Sequence, residues 1–353
     1  MSNNIVLSIC IATFNRAMLI GEALDSIVSQ ATNEVEIIIV DGASTDNTGE
    51  IVKNYQQKFP LIRYIRLAAK GGFDQDCCRA VELAEGKYCW LFSDDDILKP
   101  GAIKAVLDEF QHNYELILVN AEIKNVNLSK VLKKRYLNFV DNRIYQREDS
   151  EQLFIDVASY LSFIGCIVFK RSLWNAREKK TYFGTLFVHV AVIFQSPIAG
   201  KIVVLANPMI SIRYGNSLWT NKCFEVSLLI WPNLIWSFSD FSESARHRVC
   251  PREPWRRFKT LLIYRARGAY TLREYKEFLM KRLDSTIDRF FTRLIAQLPG
   301  VFLNLGLYAY FTIFRFYYTN AEIYLVDLEN STYYYKRYVT SIMVKYISLK
   351  IRR

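Results

Sequence analysis

The stretch Leu91-Phe92-Ser93-Asp94-Asp95-Asp96 decides how this chain is read. Three consecutive acids follow the apolar run Tyr88-Cys89-Trp90-Leu91-Phe92, which has the length and composition of a buried parallel strand. In open α/β sheets, ligands collect beyond the carboxyl ends of the strands. Three carboxylates at such an edge repel one another unless a cation is present. Hard divalent cations take oxygen ligands and often bridge carboxylates to phosphates. Alone, the stretch fits two descriptions: a metal site holding a phosphorylated substrate, or a solvated acidic turn ending at Pro100-Gly101.

The residues before it supply a context. Val6 to Ala12 is an apolar strand that ends at Thr13-Phe14-Asn15-Arg16, followed by helical spacing at Leu19, Ala23, Leu24, Ile27 and Val28. Val35 to Val40 is a second strand, ending at Asp41-Gly42-Ala43-Ser44-Thr45-Asp46, and Thr48 to Phe59 reads as a helix. Leu61 to Leu67 is a third strand, and a helix from Asp74 to Ala84 leads into the acidic one. This alternation predicts an α/β fold: a mostly parallel sheet with helices on both faces. Parallel strands put their terminal turns on one edge, so Thr13, Asn15, Arg16, Asp41, Ser44, Asp46 and the triplet are expected to converge there.

After Pro100 the spacing predicts a helix over Ala102 to Phe110 and strands at Leu116 to Asn120 and Ile164 to Phe169. Two short strands are expected at Ile202 to Leu205 and Met209 to Tyr214. From Asn216 onward long helical patterns rich in aromatics and arginine take over, which places a boundary between residues 1–215 and 216–353.

Bulk properties narrow the class. The chain has 353 residues, 51% of them hydrophobic and 14% aromatic, with a net charge of +11. A basic balance suits nucleic acid, an anionic membrane or phosphorylated ligands. None of the usual nucleic-acid modules occurs, so nucleic acid is not an expected partner. Seven scattered cysteines without a CxxC spacing point to reduced, cytosolic thiols. No basic segment precedes the first apolar run, so no signal peptide is expected.

The run Ser8-Ile9-Cys10-Ile11-Ala12-Thr13-Phe14-Asn15-Arg16 resembles the opening strand of family 2 glycosyltransferases, which have the GT-A fold. Val40-Asp41-Gly42-Ala43-Ser44-Thr45-Asp46-Asn47-Thr48 resembles that family's second-strand turn. Gly86-Lys87-Tyr88 with the acidic stretch resembles its metal-binding DxD region. Gly72-Phe73-Asp74-Gln75-Asp76 and Tyr88-Cys89-Trp90 are similar to the abequosyltransferase-like branch, whose members build bacterial O-antigen units on a lipid carrier.

The resemblance implies a nucleotide-sugar donor, a divalent cation (Mn²⁺ or Mg²⁺) and an inverting transfer to a hydroxyl of a lipid-linked saccharide. Residues 1–110 become the donor half and 111–215 the acceptor half. Thr13, Asn15, Arg16 and Ser44 fall where the nucleotide would sit, with Arg16 a diphosphate partner. Asp41 matches the family acid that hydrogen-bonds the base or ribose; turn chemistry is the other explanation for Asp41 and Asp46. Asp74 and Asp76 match a segment bordering the donor, although Asp76 and Arg79 also fit a helix surface pair. Ser93 stands where many members have Asp. Asp95 is then the terminal acid and direct metal ligand, Asp96 a metal or sugar contact, and Asp94 the variable middle position on the donor side.

An inverting transfer needs a base, usually an acid at a helix start after the strand Ile164 to Phe169. No Asp or Glu lies between Glu178 and Glu225. The region does hold His189, whose neutral imidazole is a competent base near pH 7; a buried structural histidine is the other reading, and Asp156 is the fallback base.

Residues 294–314, between Arg293 and Arg315, carry no charge but are interrupted by Pro299, Gly300, Asn304 and Gly306. An interfacial or re-entrant helix fits better than a full span, with a soluble core helix as the alternative. Lys336, Arg337, Lys345, Lys350, Arg352 and Arg353, interleaved with tyrosines, suit an anionic leaflet. Arg252-Glu253-Pro254-Trp255-Arg256-Arg257 meets a lipid-linked diphosphate or is a solvated loop. These features predict a membrane-associated enzyme at the cytoplasmic face of the bacterial inner membrane. The Gln-x-x-Arg-Trp motif of processive synthases is missing, which favours single additions. Two other classes stay open: a catalytically inactive sugar-nucleotide-binding scaffold, and a nucleotidyltransferase, which would need a Gly-rich basic loop after the first strand.

Overall fold

The computed structural model of the chain describes residues 5–216 and 222–335. The basic residues from Lys336 onward, and Tyr338 and Tyr346 among them, lie outside the described residues. Two compact units emerge. The first runs to Arg213 and takes back Leu234–Cys250; the second comprises Tyr214–Asn233 and the chain from Pro251.

The first unit is built on a ten-stranded sheet. Strands β1 (Leu7–Thr13), β2 (Val35–Asp41), β3 (Ile62–Arg66) and β4 (Tyr88–Phe92) alternate with helices α1 (Ile20–Val28), α2 (Thr48–Lys58) and α3 (Phe73–Glu82). Every residue of β2 and β4 is buried, because helices cover both faces and leave no side chain facing water. β1 pairs in parallel with β2 and β4, and β2 with β3. After β4 come β5 (Ile97–Leu98), α4 (Ala102–Glu109), β6 (Leu116–Asn125), β7 (Val131–Lys133), β8 (Arg143–Tyr145), α5 (Ser150–Val157), β9 (Ile167–Lys170), α6 (Arg171–Asn175), α7 (Val188–Phe194) and β10 (Ile202–Tyr214). The sheet order is β3-β2-β1-β4-β9-β6-β10-β5, with β7 on β6 and β8 on β10.

Two expectations are corrected. The sheet is mixed rather than mostly parallel: β9 runs antiparallel to β4 and to β6, and β5 antiparallel to β10. The strict alternation that signals parallel pairing ends at β4: β5 follows it directly, and β6, β7 and β8 follow one another without intervening helices. The two short strands are one 13-residue strand, β10. Pro208, which lacks an N–H to give to a neighbouring strand, lies within it. The strand accommodates it where a neighbour needs only an acceptor: Met209 offers its carbonyl to the Lys99 N–H at 2.8 Å.

The end of the sheet opposite the polar turns is closed by a buried network. Glu36, 3% exposed, accepts from the Ser8 hydroxyl at 2.6 Å and the Glu85 N–H at 2.6 Å. The Gly86 N–H donates to Ser8 Oγ at 2.8 Å. A Cβ on Gly86 would lie 2.8 Å from the Ser8 backbone nitrogen and 2.9 Å from the Leu7 carbonyl carbon. The seven cysteines are all buried thiols.

The second unit is helical. One core gathers Phe224, Trp255, Leu261, Tyr270, Leu279 and Ile295, and a smaller one gathers Ala266, Phe311, Ala321 and Leu328. Gly86→Ala is expected to destabilise the protein by about 1–3 kcal/mol through overpacking against backbone, read as a lower thermal midpoint.

Candidate active site

The ends of β1 and β2 interlock through their turns. Asn15 adopts φ 53° and Ala43 φ 67°; Asn tolerates the left-handed region better than most residues. The Asn15 N–H donates to Ser44 Oγ at 2.8 Å, and the Thr45 N–H returns to Asn15 Oδ1 at 2.7 Å. The Arg16 and Ala17 N–H groups donate to Thr48 Oγ1 at 2.9 Å and Asp46 Oδ2 at 3.1 Å. Asp46 and Ser44 therefore serve the turn, which fixes where Arg16 leaves the backbone.

Asp41 is fully buried at the end of β2. Its Oδ1 accepts the Ser44 N–H at 2.7 Å, and its Oδ2 accepts the Tyr64 hydroxyl at 2.5 Å. The same register sets Asp41 opposite Arg66, whose guanidinium donates to the Ser44 carbonyl at 2.6 Å. Asp76 stands nearby: a Cβ on Gly42 would approach its Oδ2 to 2.9 Å. Burial lifts the Asp76 carboxyl to about 6, Lys70 pulls it down and Asp41 pushes it up. Lys70 itself lies over the Phe14 ring, 3.8 Å from its centroid. Tyr64, Arg66 and Lys70 were missed from the sequence, yet the parallel register carried the signal. The end of a third strand belongs on the same edge as the first two.

The acidic triplet is buried where the chain leaves β4 for β5. Arg16 reaches it from the first turn, with Nε 3.3 Å from Asp94 Oδ1 and Nη2 3.2 Å from Asp95 Oδ2. Asp95 also accepts from the Ser93 hydroxyl. From β10, Arg213 meets the other side. Its N–H donates to Asp96 Oδ1 at 2.6 Å and its Nε to the Asp95 carbonyl at 2.8 Å, while Nη2 pairs with Glu22 at 2.7 Å. Burial and the neighbouring Asp95 charge push the Asp94 carboxyl up to about 7, against Arg16 and the Thr13 hydroxyl, which pull it down. Burial, then Asp95, also raises Asp96, opposed by the Arg213 N–H. Thr13, Arg16, Asp94, Asp95 and Asp96 are thus brought together.

These carboxyls suit a hard cation. Their oxygens are the donors that Mg²⁺ and Mn²⁺ prefer, and burial, then the Asp95 charge, leaves Asp94 and Asp96 with a raised affinity for positive charge in the form of a proton. Among the described residues no three His, Cys, Asp or Glu side chains form a closed cage. The set fits a cation held by one or two carboxylates and completed by substrate phosphates.

The remaining expected residues lie elsewhere. Both Asp74 oxygens are taken by backbone N–H groups of Gly184, Leu186 and Val188, at 2.8, 2.9 and 3.1 Å. Asp74 therefore secures the turn into α7. His189 is 1% exposed, with Nε2 2.8 Å from the Leu161 carbonyl. That bond puts the proton on Nε2 and leaves Nδ1 buried without a hydrogen-bond partner. Burial holds its pKa down at about 4. Such a ring stays neutral but is a weak base, enclosed where no hydroxyl reaches it. Its apolar flanks, Val188 and Val190, made it core. Asp156 accepts from Tyr145 Oη and Gln152 Nε2, both at 2.7 Å, and pairs with Arg143, so it ties β8 to α5.

A pH experiment tests the strained triplet. In the unfolded chain Asp94 titrates near the ordinary 3.8, and in the fold near 7. Between those values the native state holds a proton that the unfolded state releases, so stability falls as pH rises through this window. Asp94→Asn lacks this loss. The difference in thermal midpoint between the variant and the parent, without divalent cation, is expected to grow in the variant's favour from pH 4 to 7. A flat difference contradicts the burial and repulsion described.

Residues 8–171 match the family model described as Glycosyl transferase family 2. Abequosyltransferase RfbV of Salmonella typhimurium is 28% identical over 233 residues, 62% of this chain and 69% of that protein. The GalNAc(5)-diNAcBac-PP-undecaprenol beta-1,3-glucosyltransferase of Campylobacter jejuni is 30% identical over 190 residues, 52% of this chain and 59% of that protein. In fold, the chain is similar to S. aureus TarS 1-349 in complex with UDP, with a TM-score of 0.55 and 17% identity over 92% of this chain and 90% of that one. Matched motifs and fold agree: residues 8–171 form a family 2 glycosyltransferase domain, and the chain is a glycosyltransferase.

Proposed function

We propose that the protein moves a sugar from a nucleotide-sugar donor to a hydroxyl of a lipid-linked saccharide, with inversion and with a divalent cation, in bacterial surface-polysaccharide synthesis. The observation that carries this reading is the meeting of Arg16 with Asp94 and Asp95 beside the buried Asp41 on one sheet edge. The names of the two relatives support it, one an abequosyltransferase and the other acting on an undecaprenyl-diphosphate-linked glycan.

The chain's own groups divide the work. Asp41, aimed by Ser44 and Tyr64, keeps acceptor capacity for donors on a base or ribose. Thr13 and the Asn15–Ser44 turn shape the nucleotide side, and Asp76 borders it. Asp95, with Asp94 or Asp96, would hold Mn²⁺ or Mg²⁺, which would neutralise charge on the departing nucleoside diphosphate. Arg16 offers a planar fork that suits phosphate as well as carboxylate. The transfer occurs, in this reading, at the cytoplasmic face of the inner membrane, where such lipid-linked acceptors lie.

Asp95→Asn is expected to abolish Mn²⁺-dependent hydrolysis and transfer of the accepted nucleotide sugar, by about 10²-fold or more. Its melting without cation should be at or above the parent's. Screening nucleotide sugars for cation-dependent thermal stabilisation identifies the donor. Binding of a donor by the parent with no turnover would replace this reading with the inactive scaffold. Arg16→Ala is expected to lower stability by about 3–5 kcal/mol by removing the cation that pairs with two buried carboxylates, with partial recovery of the thermal midpoint on adding Mn²⁺.

A further inference from the structure

The second unit carries an unusual surface. The helix Thr286–Gln297 buries Thr292, Ile295 and Ala296. Its opposite side presents Ile287 (67% exposed), Phe290 (62%), Phe291 and Leu294. Those positions are spaced i, i+3, i+4 and i+7, so they form one apolar stripe facing outward. The next helix, Gly300–Ile313, turns Asn304 and Phe311 inward and exposes Phe302 (74%) and Ile313. Phe316 (85%) and Tyr317 follow it, both exposed. Soluble surfaces scatter such residues singly; a run of them marks an interaction site.

Three observations say what covers it. The first is charge. Residues Met1–Arg213 with Leu234–Cys250 hold 26 Lys and Arg against 26 Asp and Glu; the second unit holds 20 against 9, the whole net charge of +11. Arg289, Arg293 and Arg315 are exposed within the apolar stretch, and Asp288 is the one acid between residues 285 and 316. Aromatics interleaved with arginines, on a unit that carries all the excess positive charge, complement an anionic lipid surface.

The second observation is length and bend. The helices Thr286–Gln297 and Gly300–Ile313 have 12 and 14 residues and meet at 86°. At 1.5 Å per residue neither reaches across a hydrocarbon core of about 30 Å.

The third is that the bend is tied down. Arg265, buried, donates from Nε to the Leu298 carbonyl at the break, at 2.8 Å, and from Nη1 to the Tyr333 hydroxyl at 2.7 Å. Asn304, fully buried, donates to the Ala266 and Leu328 carbonyls at 3.1 and 3.0 Å. Straightening the pair into a span would strand these groups in lipid.

We propose that the outward face of the helix Thr286–Gln297, continued by Phe302, Phe316 and Tyr317, docks this protein on an anionic phospholipid bilayer and lies in the headgroup boundary without crossing it. This deepens the lipid-linked acceptor reading: a face at the boundary would keep the enzyme where such acceptors are presented. The docking itself does not depend on which sugar is moved.

The test uses the full chain and sedimentation with vesicles of phosphatidylethanolamine and phosphatidylglycerol, or of phosphatidylcholine alone. The parent is expected to bind the anionic vesicles, less so at high salt, and the neutral ones weakly. Phe290→Glu with Phe291→Glu is expected to weaken binding by about tenfold or more. Thermal midpoint and cation-dependent donor hydrolysis should be unchanged, and Val140→Glu, an exposed change in the first unit, should bind like the parent. Arg289→Gln with Arg293→Gln should lower binding and its salt dependence. No vesicle binding by the parent, undiminished binding by the double Phe variant, or a parent dimer that this variant dissociates would overturn the proposal. The last outcome would assign the face to a second copy of the chain. Loss of donor turnover with vesicle binding intact would instead count against the proposed function alone.

Discussion

Three buried carboxylates in consecutive positions are the constraint around which the catalytic unit is arranged. Two unit charges 4 Å apart repel by about 4 kcal/mol at an effective dielectric of 20, and burial removes the water that would otherwise screen them. The fold answers with one guanidinium, that of Arg16, and one backbone N–H, that of Arg213, from distant parts of the chain. Arg16 comes from the turn after β1 and Arg213 from near the end of β10. Asp94 and Asp96 still hold their protons more tightly than ordinary aspartates, through burial first and the Asp95 charge second. Buried ion pairs are weak evidence for stability, so the cluster is a cost the fold carries at this edge.

The rest of the edge follows from placing Arg16. Its backbone is held by Thr48, and Asn15 by Ser44, so the turn after β2 sets the turn after β1. Asp41 anchors that second turn through Ser44 and is itself fixed by Tyr64 from β3. Three parallel strand ends thus form one connected hydrogen-bonded rim. A substitution in any of the turns would reach the acids through it, without touching them.

The two units divide the chemistry of the chain. The first balances its charges and concentrates its buried acids at one edge. The second carries the whole excess of positive charge with exposed aromatics. The buried acids and the exposed aromatics thus come from different stretches of sequence.

Much of this was legible in the residues themselves. Apolar runs of strand length, each closed by a polar turn and separated by helical spacing, determined the parallel half-sheet, because side-chain periodicity is a local property. They also determined that Thr13, Arg16, Asp41 and the triplet share an edge, since parallel strands end together. The chain's pattern also marked 294–314 as apolar but broken. Tertiary structure decided what local pattern does not encode. It turned β9 antiparallel beside β4, joined two short strands across Pro208, and spent both oxygens of Asp74 on a turn 110 residues away. It enclosed His189, whose chemistry depended on whether water reaches the ring. It brought Arg213 to Asp96, a pairing between residues 117 positions apart. Burial and long-range partners set charge state and access, and neither is written in the spacing of nearby residues.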